Sequence, residues 1–243
     1  MRLRLIGCEI LYRELCWAVA HSIHQVDVEF LPKGLHDLGA APMRSRLQEA
    51  IDRTDASRYE AVLLGYALCG MGLAGLTARS LPLIVPRAHD CITLFLGSRQ
   101  RYMDYFRSRP GTYFLTTGWI ERGRDLPQLS IQEKLGLRQS FEELASRYGE
   151  DNARYLMEEL GGWTRHYRRI AFIETGLEPD GRFEEAARRE AESRGWEFEK
   201  LSGDLSLVRR LVDGPWDEDF LQVPPGHRIV ATYDEDIVGV EPL

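Results

Sequence analysis

Short apolar runs alternating with helical patterns constrain this chain more than any other feature. Residues 61–65 read AVLLG, with no polar side chain on either face. A strand in a one-sided sheet alternates apolar and polar positions, whereas an unbroken apolar run suits a parallel sheet covered on both faces. Similar runs stand at 2–7 (RLRLIG), 83–85 and 169–175 (RIAFIET), while 26–31 (VDVEFL) alternates until Pro32 and Gly34 stop it. Helical patterns fall between them at 11–22, 44–54, 92–107, 182–194 and 206–212. Parallel strands need long crossovers, which helices supply, so the chain is predicted to be α/β. The Gly-rich passage CGMGLAGLTA is expected to lead into a short helix, and residues 111–121 read as extended. Further strands are expected at 197–201, 220–223 and 228–233.

The two halves are alike in outline. LRLIGCE, a helix and VDVEFLPKG are matched by RIAFIET, a helix and FEKLSGD. The expected architecture is two Rossmann-like lobes with mainly parallel sheets and a cleft between them. Residues 1–125 form the first lobe, 126–165 a helical connector and 166–243 the second lobe. A chain of 243 residues with 44% hydrophobic content buries a core without disulfide or metal staples. Its 38 acidic against 31 basic residues give a formal charge of −7. With no basic stripe, phosphate-backbone binding has no electrostatic source, so no nucleic-acid partner is expected. No apolar run approaches the roughly 18 residues of a membrane span. The start, MRLRLIG, lacks a signal-peptide h-region. A cytoplasmic protein with reduced thiols is therefore expected.

Three of the four cysteines stand at equivalent places. Cys8 follows the first strand, Cys69 the third and Cys91 the fourth. Ligands of an open parallel sheet bind at the carboxyl ends of its strands, and neighbouring strands lie about 4.8 Å apart. Cys8, Cys69, His89 and Cys91 are therefore candidate metal ligands in the first lobe, with His36 at the same edge. Zinc suits Cys and His donors; a [4Fe-4S] cluster on three cysteines, with one iron open, is the alternative. Cys16, inside ELCWAVAH, reads as core. Arg87 could clamp an anionic group, Asp90 could orient a histidine, and Glu174 could act as a base from the second lobe. Asp204 is placed similarly, and for both carboxylates a solvated or capping role reads more readily than a catalytic one. Gly70 and Gly72 could let backbone approach a cofactor. Gly97 and Ser98 interrupt a helical stretch, which suits either a ligand contact or a helix break. Thr116, Thr117 and Trp119 could line the cleft.

The strings LPKGLHDLG, GYALCGMGLAGL, PRAHDCITLFLGSRQRY and PGTYFLTTGWIE closely resemble the bacterial and archaeal family known as domain of unknown function 1638. The resemblance runs from about Leu3 to Tyr233 and is densest between Leu63 and Glu121. It puts Cys8, Cys69, His89 and Cys91 at family positions, while Ala67 replaces a glycine of the family pattern GYGLC. It also implies an association with corrinoid-dependent methyl transfer, and hence a corrinoid protein or methyltransferase as partner. The His89-Asp90-Cys91 pair is similar to the His-x-Cys of zinc enzymes that pass methyl groups to thiols. Three functions stay open: a zinc-thiolate enzyme with a small-molecule cleft for one-carbon transfer, an iron–sulfur enzyme, and a non-catalytic metal- or corrinoid-binding accessory protein.

Overall fold

The computed structural model describes residues 1–122, 149–150, 167–232 and 234–243, the side chains of residues 36 and 37 excepted. Gly149 and Glu150 aside, the connector expected at 126–165 lies outside the described residues. The chain is α/β. One sheet has the order β2-β1-β3-β4-β8. It contains β1 (Arg2–Cys8), β2 (Gln25–Leu31), β3 (Ala61–Gly65), β4 (Leu83–Pro86) and β8 (Phe220–Val223). The first four run parallel, and β8 adds antiparallel to β4. A second, all-parallel sheet joins β5 (Thr112–Thr116), β6 (Arg169–Glu174) and β7 (Glu197–Ser202) in that order. A small antiparallel pair, β9 (His227–Ala231) and β10 (Val238–Pro242), completes the described strands.

The apolar strand runs are covered on both faces. Val62, Leu64 and Val85 pack against Met43, Leu47 and Ile51 of α2 (Ala40–Asp52). Their neighbours Leu63 and Ile84 face the opposite way. They meet Leu15 of α1 (Tyr12–Ala20), Phe95 of α3 (Cys91–Leu96) and Leu211 of α7 (Ser206–Asp213). The strands therefore show no alternation, because neither face meets water. In the second sheet, Leu115, Ile170 and Phe172 pack under Phe183, Ala187 and Ala191 of α6 (Arg182–Arg194). Its opposite face contributes Ile173 to the cluster of α1, α3 and α7, so the two sheets share a core.

Several expected elements take another form. The sheets do not follow a cut at residue 125: β5 pairs with β6, and β8 and α7 return to the first sheet. Residues 92–107 form two helices, α3 and α4 (Arg99–Ser108), because Gly97 turns left-handed at φ 73°. A Cβ on Gly97 would stand 2.7 Å from the Asp204 carboxyl carbon, so its close contact is with protein. Ser98 caps α4 by accepting from the Arg101 N–H. The extended run at 111–121 stops at Thr116, whose hydroxyl accepts from the Trp119 N–H and starts α5 (Thr117–Glu121). The Gly-rich passage forms turns, with no helix following it before β4.

Candidate functional site

The loops after β3 and β4 continue the parallel ladder beyond the strands. The Leu68 N–H donates to the Ala88 carbonyl at 2.9 Å, and the Cys69 N–H to the His89 carbonyl at 3.0 Å. That register sets Cys69 beside the start of α3, where Cys91 stands. Residues 69–71 then take positive φ: 44° at Cys69, 63° at Gly70 and 77° at Met71. Left-handed backbone costs a non-glycine residue about 1–2 kcal/mol, and such strain tends to gather at functional sites. Cys8, on the adjacent β1, completes the group.

Cys8, Cys69 and Cys91 line one cavity of about 350 Å3. It opens where the carboxyl ends of β1 and β3 and the loop after β4 meet the second sheet. Tyr66, Lys33 and Asp90 also line it. The rest of the lining includes Tyr102 and Phe106 of α4, Tyr113 and Phe114 of β5, Trp119 of α5, and Tyr167. All four cysteines are free thiols. Cys16 is partly buried on α1 and does not line this cavity.

Burial dominates the electrostatics of the cavity. It pushes Cys8 and Cys69 up to about 12, and Cys91 well above the usual thiol range. The thiols sense one another: after burial, Cys8 is the largest influence raising Cys69, and Cys69 the largest raising Cys91. Without a cation the three are neutral thiols at physiological pH. The Tyr66 phenol is also raised by burial, then by Cys8 and Cys69. A side-chain hydrogen bond with the Cys8 thiol adds to that rise, and it holds Tyr66 against Cys8. Lys33 is 4% exposed, and its Nζ stands 4.1 Å from the Trp119 ring centroid. Its backbone N–H donates to Glu9 Oε1 at 2.7 Å, which fixes the loop after β2. Asp90 accepts from the Ile92 N–H at 3.0 Å as cap of α3, and from Tyr102 Oη at 2.7 Å. Burial raises its carboxyl.

The other sequence candidates stand elsewhere. His89 lines a separate, more polar cavity of about 410 Å3 with Ser98, Arg99 and Asp219. The two cavities share Tyr102. Arg87 donates to the Asp236 and Val238 carbonyls, tying the C-terminal segment to the loop after β4. Glu174 pairs with Lys200 at 2.7 Å. Asp204 accepts from the Ser206 N–H and caps α7. Neither Gly70 nor Gly72 lines the thiol cavity; a Cβ on Gly72 would meet Met43 Sδ at 2.3 Å. Thr116 and Thr117 are buried in the fold, while Trp119 lines the cavity. The side chain of His36 lies outside the described atoms. Lys33 and Tyr66 escaped sequence reasoning, although each adjoins a strand end already singled out. The useful signal was position: LPK after β2 and GY at the end of β3.

Fold and site together define an α/β protein with a thiol-lined cavity beside the carboxyl ends of a parallel sheet. A family model described as Protein of unknown function (DUF1638) matches residues 30–212, and the chain belongs to that family. No curated protein and no solved structure matches it. No helix among the described residues is long and apolar enough to cross a membrane.

Proposed function

We propose that the protein is a metal-thiolate enzyme acting on a small molecule, with Cys8, Cys69 and Cys91 holding zinc in the cavity between two Rossmann-like lobes. The observation that carries this reading is the convergence of three strand-end thiols on one cavity. Thiolates are the donors that soft and borderline cations select, and three protein ligands leave the open position a catalytic zinc needs. Among the described residues, no group of three or more His, Cys, Asp or Glu side chains is already placed to hold a metal ion. The reading therefore requires the thiols to turn toward a common cation and lose their protons to it. When bound, zinc would supply a thiolate or hydroxide nucleophile near neutral pH. His89 is left out of this ligand set because it faces the other cavity.

The chain's own residues supply the rest. The aromatic wall excludes water, which strengthens every charge interaction inside. Asp90, held by Tyr102, keeps Cys91 at the head of α3. At about 350 Å3 the cavity stands at the small end of ligand pockets, about 300–1,000 Å3. That suits a small metabolite and is too small for a corrin macrocycle. In one-carbon transfer, a corrinoid would accordingly belong to a partner protein.

Elemental analysis and an absorption spectrum of protein purified without oxygen test this reading. Near-stoichiometric zinc, lost in Cys69→Ser, is expected from a colourless protein. Substoichiometric metal unaffected by Cys69→Ser overturns it. A brown protein absorbing broadly above about 400 nm, as thiolate-ligated iron does, would select the iron–sulfur alternative.

A further inference from the structure

We infer that Cys69 and Cys91 are a redox pair that closes into a reversible disulfide. As regulation of the thiol site this rests on the metal reading, but the disulfide itself needs no metal. The loops after β3 and β4 bring the two residues together. The Cys69 N–H donates to the His89 carbonyl at 3.0 Å, two residues before Cys91. The Cys91 N–H in turn donates to the Cys69 sulfur. Neighbouring segments of a ladder lie about 4.8 Å apart, inside the roughly 4.4–6.8 Å between Cα atoms that a disulfide spans. Cys69 stands in a turn and Cys91 at the first position of α3, so rotation of either side chain disturbs no strand.

Further observations select this pair. Among the described residues no three ligating side chains are already grouped around a cation position, whereas a disulfide needs two sulfurs. Cys91 feels Cys69 more strongly than Cys8. Cys8 lies at the end of β1 and bonds to Tyr66, which ties its sulfur to another partner. Cys16 stands outside the cavity. Burial disfavours charged sulfur, and a disulfide, like two neutral thiols, carries no charge. The oxidant is hydrogen peroxide, which has two heavy atoms and fits a cavity of about 350 Å3. It takes two electrons and both thiol protons. Its O–O bond and two S–H bonds break, one S–S bond forms, and two waters leave. The first water leaves as one cysteine becomes a sulfenic acid, and the second as the other thiol attacks that sulfur. A dithiol reductant restores both thiols by exchange. Closure leaves one of the three proposed zinc ligands, too few for a zinc site.

Peptide mapping tests this directly, because trypsin places the four cysteines in separate peptides, 5–13, 14–33, 59–79 and 88–99. The full chain, reduced and metal-free, is treated with hydrogen peroxide, alkylated in denaturant and digested without reductant. A cross-link between peptides 59–79 and 88–99 is expected, and dithiothreitol should return both cysteines to alkylation. The link should persist in Cys8→Ser and Cys16→Ser and vanish in Cys91→Ser. Zinc added before the peroxide should suppress it severalfold, and the linked protein should take up no zinc. No link, a link from 59–79 to 5–13 in its place, or sulfinic and sulfonic acids at Cys69 and Cys91 without a link would overturn the inference. Zinc uptake by the linked protein would overturn its regulatory part. The preceding proposal fails separately. The link without zinc binding by the reduced protein leaves the redox pair standing and removes the metal, and stoichiometric zinc without the link does the reverse.

Discussion

At the scale of single residues, Glu14 of α1 is the clearest conflict between a side chain and its surroundings. It is 1% exposed, Oε2 has no hydrogen-bond partner, and Thr175 Oγ1 donates to Oε1 at 3.1 Å. Burial pushes its carboxyl up to about 7. A raised carboxyl binds its proton more tightly in the folded state, so stability from this group is complete below about pH 4.5 and falls as pH rises toward 7. The loss amounts to about 3 kcal/mol. Glu14→Gln should be more stable than the parent above pH 7 and should flatten the pH dependence of denaturant midpoints between 4.5 and 7. An unchanged slope in that window would contradict this account. Glu14 was not legible as special in the sequence: YRELCWAVA reads as an ordinary amphipathic helix. Only the packing of α1 against the loop after β6 buries it.

At the scale of elements, two short helices position the cavity. In α5, a Cβ on Gly118 would stand 1.8 Å from the Ile10 carbonyl oxygen. Gly118 therefore lets α5 lie directly on the turn that follows Cys8, with Trp119 over Lys33. Gly118→Ala should destabilise the protein at the upper end of the ~1–3 kcal/mol typical of overpacking, read from thermal or denaturant unfolding. A neutral result would mean that the α5 contact is looser than described. At the start of α3, Asp90→Ala removes the cap and frees the Tyr102 hydroxyl. A loss of about 1 kcal/mol is expected from the cap alone. The sequence points to α3 and α4 through Gly97 and Ser98. It gives no hint that TTGWIE leaves the strand at Thr116, because β-branched and aromatic residues favour strand until a capping hydroxyl intervenes.

At the scale of the whole molecule, the chain crosses between its sheets twice. β5 leaves the first half to pair with β6, and β8 with α7 returns to close the first sheet and its core. A fragment of residues 1–125 would keep β1 to β4 but lose Leu207, Val208, Leu211 and Phe220 from the shared cluster. It should show no cooperative unfolding transition when followed by circular dichroism, since its main apolar face would be uncovered. Cooperative folding of that fragment would mean that the two sheets are independent.

Local pattern alone determined the α/β class, the positions of most strands and the placing of three cysteines at strand ends. Hydrophobic periodicity is a short-range property that each run of residues carries by itself. The tertiary structure decided which sheet each late strand joins, that His89 faces away from the thiols, and that Lys33, Tyr66 and an aromatic wall from the second sheet enclose them. Those outcomes depend on contacts between residues far apart in the chain, where the shape and burial of the assembled core choose among partners that look equivalent in sequence.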